Sequence, residues 1–406
     1  MSRKTFIIIS ITLATILVVL VGYYFIIQSG QTGTDRKPSG FRSFFPFGGN
    51  DNATTSPREV VGDNTPEEEL NFTQKLRKLS SEPVSGAGIL DVKAGSIVRY
   101  IEKATGHIFE VEMFSPNQNR ISNTTIPLAY DAIWGNKNTS LVVRYLKDDD
   151  VTVDTYALTI KEVSTSTENN VSAVSFPANI SGVSGLNNSM FYLQQTDNSS
   201  VGFISNFSGK NRKQIWNSEI KELNSQYINP KTVSLTTKPA RNISGFMYFV
   251  DTGTGQVKKI LGDIVGLSTL TDSDANQVLY LTQGDGVQLS VFNQKSKSFL
   301  PVTPTTFPEK CVWSKRDKSI VYCAVPEESL DGSSLTFWYQ GVYSFGDYIW
   351  KYDIKNNISS IVSNLYDESS ERIDVIKPIL SENEQYLIFL NKMDNSLWSL
   401  DLTKEN

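Results

Sequence analysis

Tyr348-Ile349-Trp350-Lys351-Tyr352-Asp353-Ile354 sets Tyr348, Trp350 and Tyr352 on one face and Ile349, Lys351 and Asp353 on the other. That period of two residues marks a β-strand. Trp350 is followed three positions later by Asp353, and the same pairing of an aromatic with a small polar or acidic residue recurs along the chain. The other pairs are Phe109/Glu112, Tyr156/Thr159, Phe203/Asn206, Tyr248/Asp251, Ser290/Asn293 and Trp398/Asp401, and only Ser290 departs from the aromatic rule. First members are separated by 47, 47, 45, 42, 60 and 48 residues. A repeat in the forties, built of several short strands, is the sequence sign of a β-propeller.

A second landmark keeps the same beat. A turn-forming residue stands five positions ahead of an apolar strand at Gly135 (before Ser140-Leu-Val-Val), Asp272 (before Gln277-Val-Leu-Tyr), Ser314 (before Ser319-Ile-Val-Tyr) and Ser381 (before Tyr386-Leu-Ile-Phe). The residues between are polar, as a tight hairpin requires. Each unit therefore reads strand a, turn, strand b, loop, strand c ending on the acidic landmark, turn, strand d. In the sixth unit the strands fall near 310–314, 319–324, 348–354 and 358–363. The landmark aromatics are expected between blades, and the acidic residues are expected to cap the c–d turns.

After Trp398-Ser399-Leu400-Asp401 too few residues remain for a seventh strand d. Lys75-Leu76-Arg77-Lys78-Leu79, ahead of the first strand a, resembles the strand d segment Val257-Lys258-Lys259-Ile260-Leu261 and is expected to supply it. Closure by strands from both ends of the domain removes the free sheet edge. The expected fold is all-β, a seven-bladed β-propeller over residues 71–406, with six or eight blades as alternatives.

The pattern resembles the TolB-type, WD40-like family of bacterial propeller repeats, in which strand a runs into a Ser-x-Asp-Gly-like turn. Ser314-Lys315-Arg316-Asp317-Lys318 and Ser381-Glu382-Asn383-Glu384 fit it loosely, without the family's Pro or Gly. Cys311-Val-Trp-Ser-Lys, Tyr322-Cys323-Ala-Val-Pro, Trp338-Tyr339-Gln340-Gly341 and Ile349-Trp350-Lys351 look like membrane-anchored propellers of candidate-phylum bacteria. The resemblance spans roughly residues 70–402. It implies fold and compartment and carries no assigned chemistry.

Phe6 to Ile27 runs without a charge. Twenty-two helical residues span about 33 Å, enough for a bilayer core of about 30 Å. Arg3 and Lys4 precede it and Asp35 is the first charge beyond, so residues 1–5 are expected in the cytoplasm and the rest across the membrane. Asp35, Arg36 and Lys37 weaken that asymmetry. A cleaved signal peptide is the competing reading; the long apolar run and the missing small-x-small site favour an uncleaved anchor. Residues 28–70, rich in Gly, Ser, Thr, Asn, Asp and Pro, read as a flexible linker. The apolar island Phe41-Arg-Ser-Phe-Phe-Pro-Phe47 within it reads as an interfacial segment or a docking motif.

Charged residues make up only 20% of the chain and the formal net charge is −5, which argues against a nucleic-acid partner, since that would want a basic face. The lone His107, in Ala-Thr-Gly-His, reads as a turn residue without a nucleophile elbow nearby. No phosphate loop and no H-E-x-x-H occurs, and no cofactor is expected. Asp272-Ser-Asp274-Ala-Asn276 starts like a calcium loop, but Gln277 and Gln283 stand where Gly and Glu belong, so a structural turn is expected and no metal site. Asp148-Asp149-Asp150 reads as a solvated acidic loop, and Asn-x-Ser/Thr triplets at Asn71, Asn123, Asn179 and Asn242 follow from composition.

Cys311 and Cys323 fall opposite one another in one expected hairpin, either as a disulfide or as two small buried hydrophobes. The 60-residue interval shows an insertion between strands b and c of blade six, at 326–346, with Phe337, Trp338, Tyr339, Tyr343 and Phe345 crowded into nine positions. These are either a lid over apolar blade surface or a binding surface, since rigid aromatics on a long loop dominate interfaces. The expected function is a membrane-anchored, extracytoplasmic binding or scaffold module for a protein, peptide or envelope polymer. The alternative is an envelope hydrolase or lyase with acidic residues in the propeller funnel.

Overall fold

Seven four-stranded antiparallel sheets follow one another around a ring. The computed structural model describes residues 74–122, 124–147, 149, 152–161, 171–283 and 286–404. Blades one to six occupy 84–120, 129–175, 180–218, 223–265, 268–302 and 311–364, each with its strands in chain order. The seventh uses Val375–Leu380, Tyr386–Asn391 and Leu397–Asp401, and its outermost strand is Leu76–Lys78. Leu76, Arg77 and Lys78 pair with Leu400, Ser399 and Trp398, so the surplus strand closes the ring as its sequence predicts. The anchor at 6–27, the linker at 28–70, the Phe41–Phe47 island, Asp148 and Asp150 lie outside the described residues. Among the described residues, no helix is long and apolar enough to cross a membrane.

Local chemistry explains the regularity. All seven landmark pairs sit in strands c. Asn206 Oδ1 accepts from the backbone N–H of Lys210 at 2.7 Å, Asp251 Oδ1 from that of Thr254 at 2.7 Å, and Asp353 Oδ1 from that of Asn356 at 3.0 Å. The c–d turns are thus capped by the acidic landmark. At the a–b turns Asp272 Oδ1 accepts from the N–H groups of Asn276 and Gln277 at 2.7 and 2.9 Å, and Ser314 Oγ from that of Asp317 at 2.9 Å. The calcium-like motif is therefore a turn whose carboxylate faces its own backbone.

Landmark aromatics pack in the apolar layers between blades, among them Phe109, Phe203, Trp350 and Trp398. Phe109 and Phe203 also stack on their cross-strand partners Tyr100 and Tyr192 within the same sheet, with centroids 5.4 Å apart in both pairs. Where strand b offers a tyrosine at the facing position, a stacked pair is added to the layer.

The core is a series of such interblade layers. Leu76 belongs to the layer that includes Ala324 and Ile349 of blade six, and Leu79 to the layer that includes Val98 and Tyr100 of blade one. The closing segment thus fills a position on either side of blade seven. Cys311 and Cys323 are register partners with Cα atoms 4.0 Å apart, joined by a disulfide. Because each sheet is an antiparallel meander, the d–a connections and b–c loops share one face of the ring and the a–b and c–d turns share the other.

Candidate functional site

The blade six insertion folds on the d–a/b–c face. Its short helix α1 (Ser334–Tyr339) is started by Asp331, whose Oδ1 accepts from the N–H groups of Ser333 and Ser334, both at 2.8 Å. The Ser333 hydroxyl and N–H, with Ser334, hold that carboxyl down at about 2. A helix advances about 100° per residue, so Phe337, Trp338 and Tyr339 leave α1 in three directions.

Trp338 is 4% exposed and Phe345 6% exposed, both against Phe307 with centroids 5.1 and 5.9 Å away. Phe337 is half-buried and meets Tyr343 edge-on at 5.2 Å. Tyr339 and Tyr343 are exposed at 43% and 46%, with Val342 between them at 63%. The five aromatics are therefore part anchor and part outward surface, an outcome that spacing alone left open.

Beneath the anchors lies a buried charge network. Lys310, which ends a 3₁₀ turn at Pro308–Lys310 rather than starting strand a, is fully buried. Its Nζ donates to Asp347 Oδ2 at 2.6 Å and to Asp374 Oδ1, and stands 5.4 Å from the centroid of the Trp338 ring. Trp338 Nε1 donates to Asp374 Oδ2 at 3.0 Å, as does the Phe345 N–H at 3.2 Å. Burial pushes the Asp347 carboxyl up against the pull of Lys310, with neighbouring Asp374 adding to the rise. Outside the network, Tyr339 Oη donates to half-buried Glu309, which also accepts from Ser268 Oγ at 2.5 Å. Lys392 Nζ, from the b–c loop of blade seven, donates to the Tyr343 carbonyl at 3.0 Å. The insertion is thus fastened to two neighbouring connections of its own face.

The ring encloses an axial cavity of about 1340 Å³, lined mainly by the first strands of blades one, two, three and seven and by their a–b turns. Towards the d–a end, Asp131 sits between Arg144 Nε at 3.0 Å and Lys377 Nζ at 2.5 Å. Burial raises its carboxyl, but Lys377 and then Arg144 outweigh that and hold it at about 2. His107 lies in the b–c loop of blade one, its N–H donating to Thr105 Oγ1 at 3.0 Å. Sequence reasoning missed the Lys310 network because its acids lie 37 and 64 residues away.

A closed ring of seven four-stranded blades defines the chain as a seven-bladed β-propeller. No family model matches the sequence, and no curated protein matches it. Solved structures with the same fold include oligogalacturonate lyase from Vibrio parahaemolyticus, 8% identical over 82% of this chain and 95% of that one, with a TM-score of 0.54. YCF48 from Cyanidioschyzon merolae is 12% identical over 81% of this chain and 100% of its own, with a TM-score of 0.51. TolB from Acinetobacter baumannii is 12% identical over 82% of this chain and 65% of its own, at 0.39. At such identities the likeness is one of fold alone.

Proposed function

We infer that this propeller is a membrane-tethered, extracytoplasmic recognition module that takes a polypeptide partner on its d–a/b–c face. The observation that carries the reading is the group of exposed apolar side chains there. Tyr339, Val342 and Tyr343 share that face with Leu128, Tyr130, Ile243, Tyr366 and Met393, all exposed. Loops on a rigid scaffold are where binding residues concentrate, and tyrosine gives contact area at low entropic cost. The carboxylates suit structure better than proton transfer: Asp131 is paired with two cations, and Asp347 and Asp374 enclose Lys310 away from solvent.

A photo-crosslinking side chain at position 342 of the full-length chain should give discrete, protease-sensitive adducts in cells, and one at exposed Val257 on an outer strand should not. Tyr343→Ala, which leaves the Tyr339–Glu309 hydrogen bond in place, should cut the adduct several-fold while stability moves by no more than about 1 kcal/mol. Equal adducts at 342 and 257 would overturn the reading.

The compartment has its own test. The disulfide closes a short loop worth up to about 3 kcal/mol in the chain-entropy model, and it persists where the surroundings are oxidising. Mass spectrometry of non-reduced protein, alkylated as cells are opened, should find both cysteines blocked. Two alkylated thiols would place the propeller on the reducing side.

A further inference from the structure

We propose that the axial cavity is a second binding site, open on the a–b turn face, for a short uncharged oligosaccharide. Its volume of about 1340 Å³, part of which reaches the layer between blades seven and one, leaves room for a short chain of sugars.

The mouth is rich in side-chain amides. Asn136 and Asn138 come from the a–b turn of blade two, and Asn187 and Asn188 from that of blade three. A carboxamide both donates and accepts, which matches hydroxyl groups that do the same. Asn138 is 7% exposed and its Nδ2 is buried with no hydrogen-bond partner in the protein. An unpaired buried donor is uncommon and calls for a partner. The backbone is held unusually there: Asn136, Lys137 and Asn138 have φ of 52°, 53° and 58° in succession, and Asn187 has 50°. Left-handed asparagines of this kind are usual in tight hairpin turns, and here they set two such turns at the cavity mouth.

Charge narrows the class. The charged lining residues are Asp91, Asp131 and Glu382 against Lys137, Lys315 and Lys377, three of each sign, with no net charge. Lys377 is already paired with Asp131, and Lys315 with Glu382. Neither a polyanion nor a polycation is drawn in by such a wall. The first strands are the innermost of their sheets and crowd one another where blades one and two meet. A Cβ on Gly86 would lie 2.1 Å from the Ala132 carbonyl oxygen of the next blade. Recognition is left to the side-chain amides.

The site is separate from the aromatic face, so its test stands apart from the crosslinking result. Full-length protein in mild detergent would be titrated calorimetrically with cellohexaose, maltohexaose, chitohexaose, hexagalacturonate and a mixed-sequence peptide pool. At least one neutral hexasaccharide should bind more tightly than about 1 mM, and hexagalacturonate should not. Asn187→Gly with Asn188→Ala, both exposed and the glycine keeping the left-handed φ, should weaken that binding at least tenfold without moving the melting temperature. Asn138→Asp should weaken it too, and Tyr339→Ala with Tyr343→Ala should leave it intact. Failure of all neutral probes, preference for the polyuronate or the peptides, or indifference to the asparagine variants would overturn the proposal.

Discussion

Lys310→Met should lower stability by about 3–5 kcal/mol, the usual cost of removing one partner from a buried ion pair. For a domain of this size that is a fall in melting temperature of roughly 4–7 °C, read by calorimetry. The lysine is fully buried between Asp347 and Asp374, and methionine fills much of its volume while leaving two carboxylates without a counter-charge. One of them also orients Trp338 and Phe345, so α1 should loosen with it. Neutralising the acids as well, with Asp347→Asn and Asp374→Asn, should restore part of the loss, because neutral pairs cost far less to bury. An unchanged melting curve for Lys310→Met would mean that the network carries no charge in the folded state.

Deleting residues 70–82 should cost at least as much. The segment places Leu76 in the layer towards blade six and Leu79 in the layer towards blade one, both nearly inaccessible to solvent. Two fully buried leucines contribute about 3–6 kcal/mol. Their loss also strips pairing from the strand Leu397–Asp401 and exposes a sheet edge. The expected result is a melting temperature at least about 5 °C lower, with aggregation on heating. Leu76→Asp with Leu79→Asp, which keeps the backbone but refuses burial, should act in the same direction. Unaltered melting in both variants would show that the ring is held elsewhere.

The fold was legible because its determinants are local. A strand shows in seven residues, and a capped turn in six, as at Asp272 to Gln277. Even the closing strand could be inferred, since it resembled the outermost strand segment at 257–261 and one blade lacked its fourth strand. The site was harder to read. Phe337 to Phe345 form one cluster in sequence, yet a single turn of helix sends Trp338 inward and Tyr339 outward. Lys310 looked like the first residue of a strand, because nothing near it in sequence announces two carboxylates that approach only when blades six and seven are assembled. The axial cavity has no local sequence signal at all: it is made by first strands of blades far apart in the chain.

The pairing of Arg77 with Ser399 joins residues 322 positions apart. During synthesis the earlier partner emerges first and must wait, unpaired, until nearly the whole domain has been translated. Contacts of such separation form late, since their loop-closure entropy is repaid only when the intervening structure is in place. The last blade therefore works as a completeness check. A polypeptide released before Trp398 has no partner for its leading strand, and it offers quality-control proteases an open sheet that a finished one conceals.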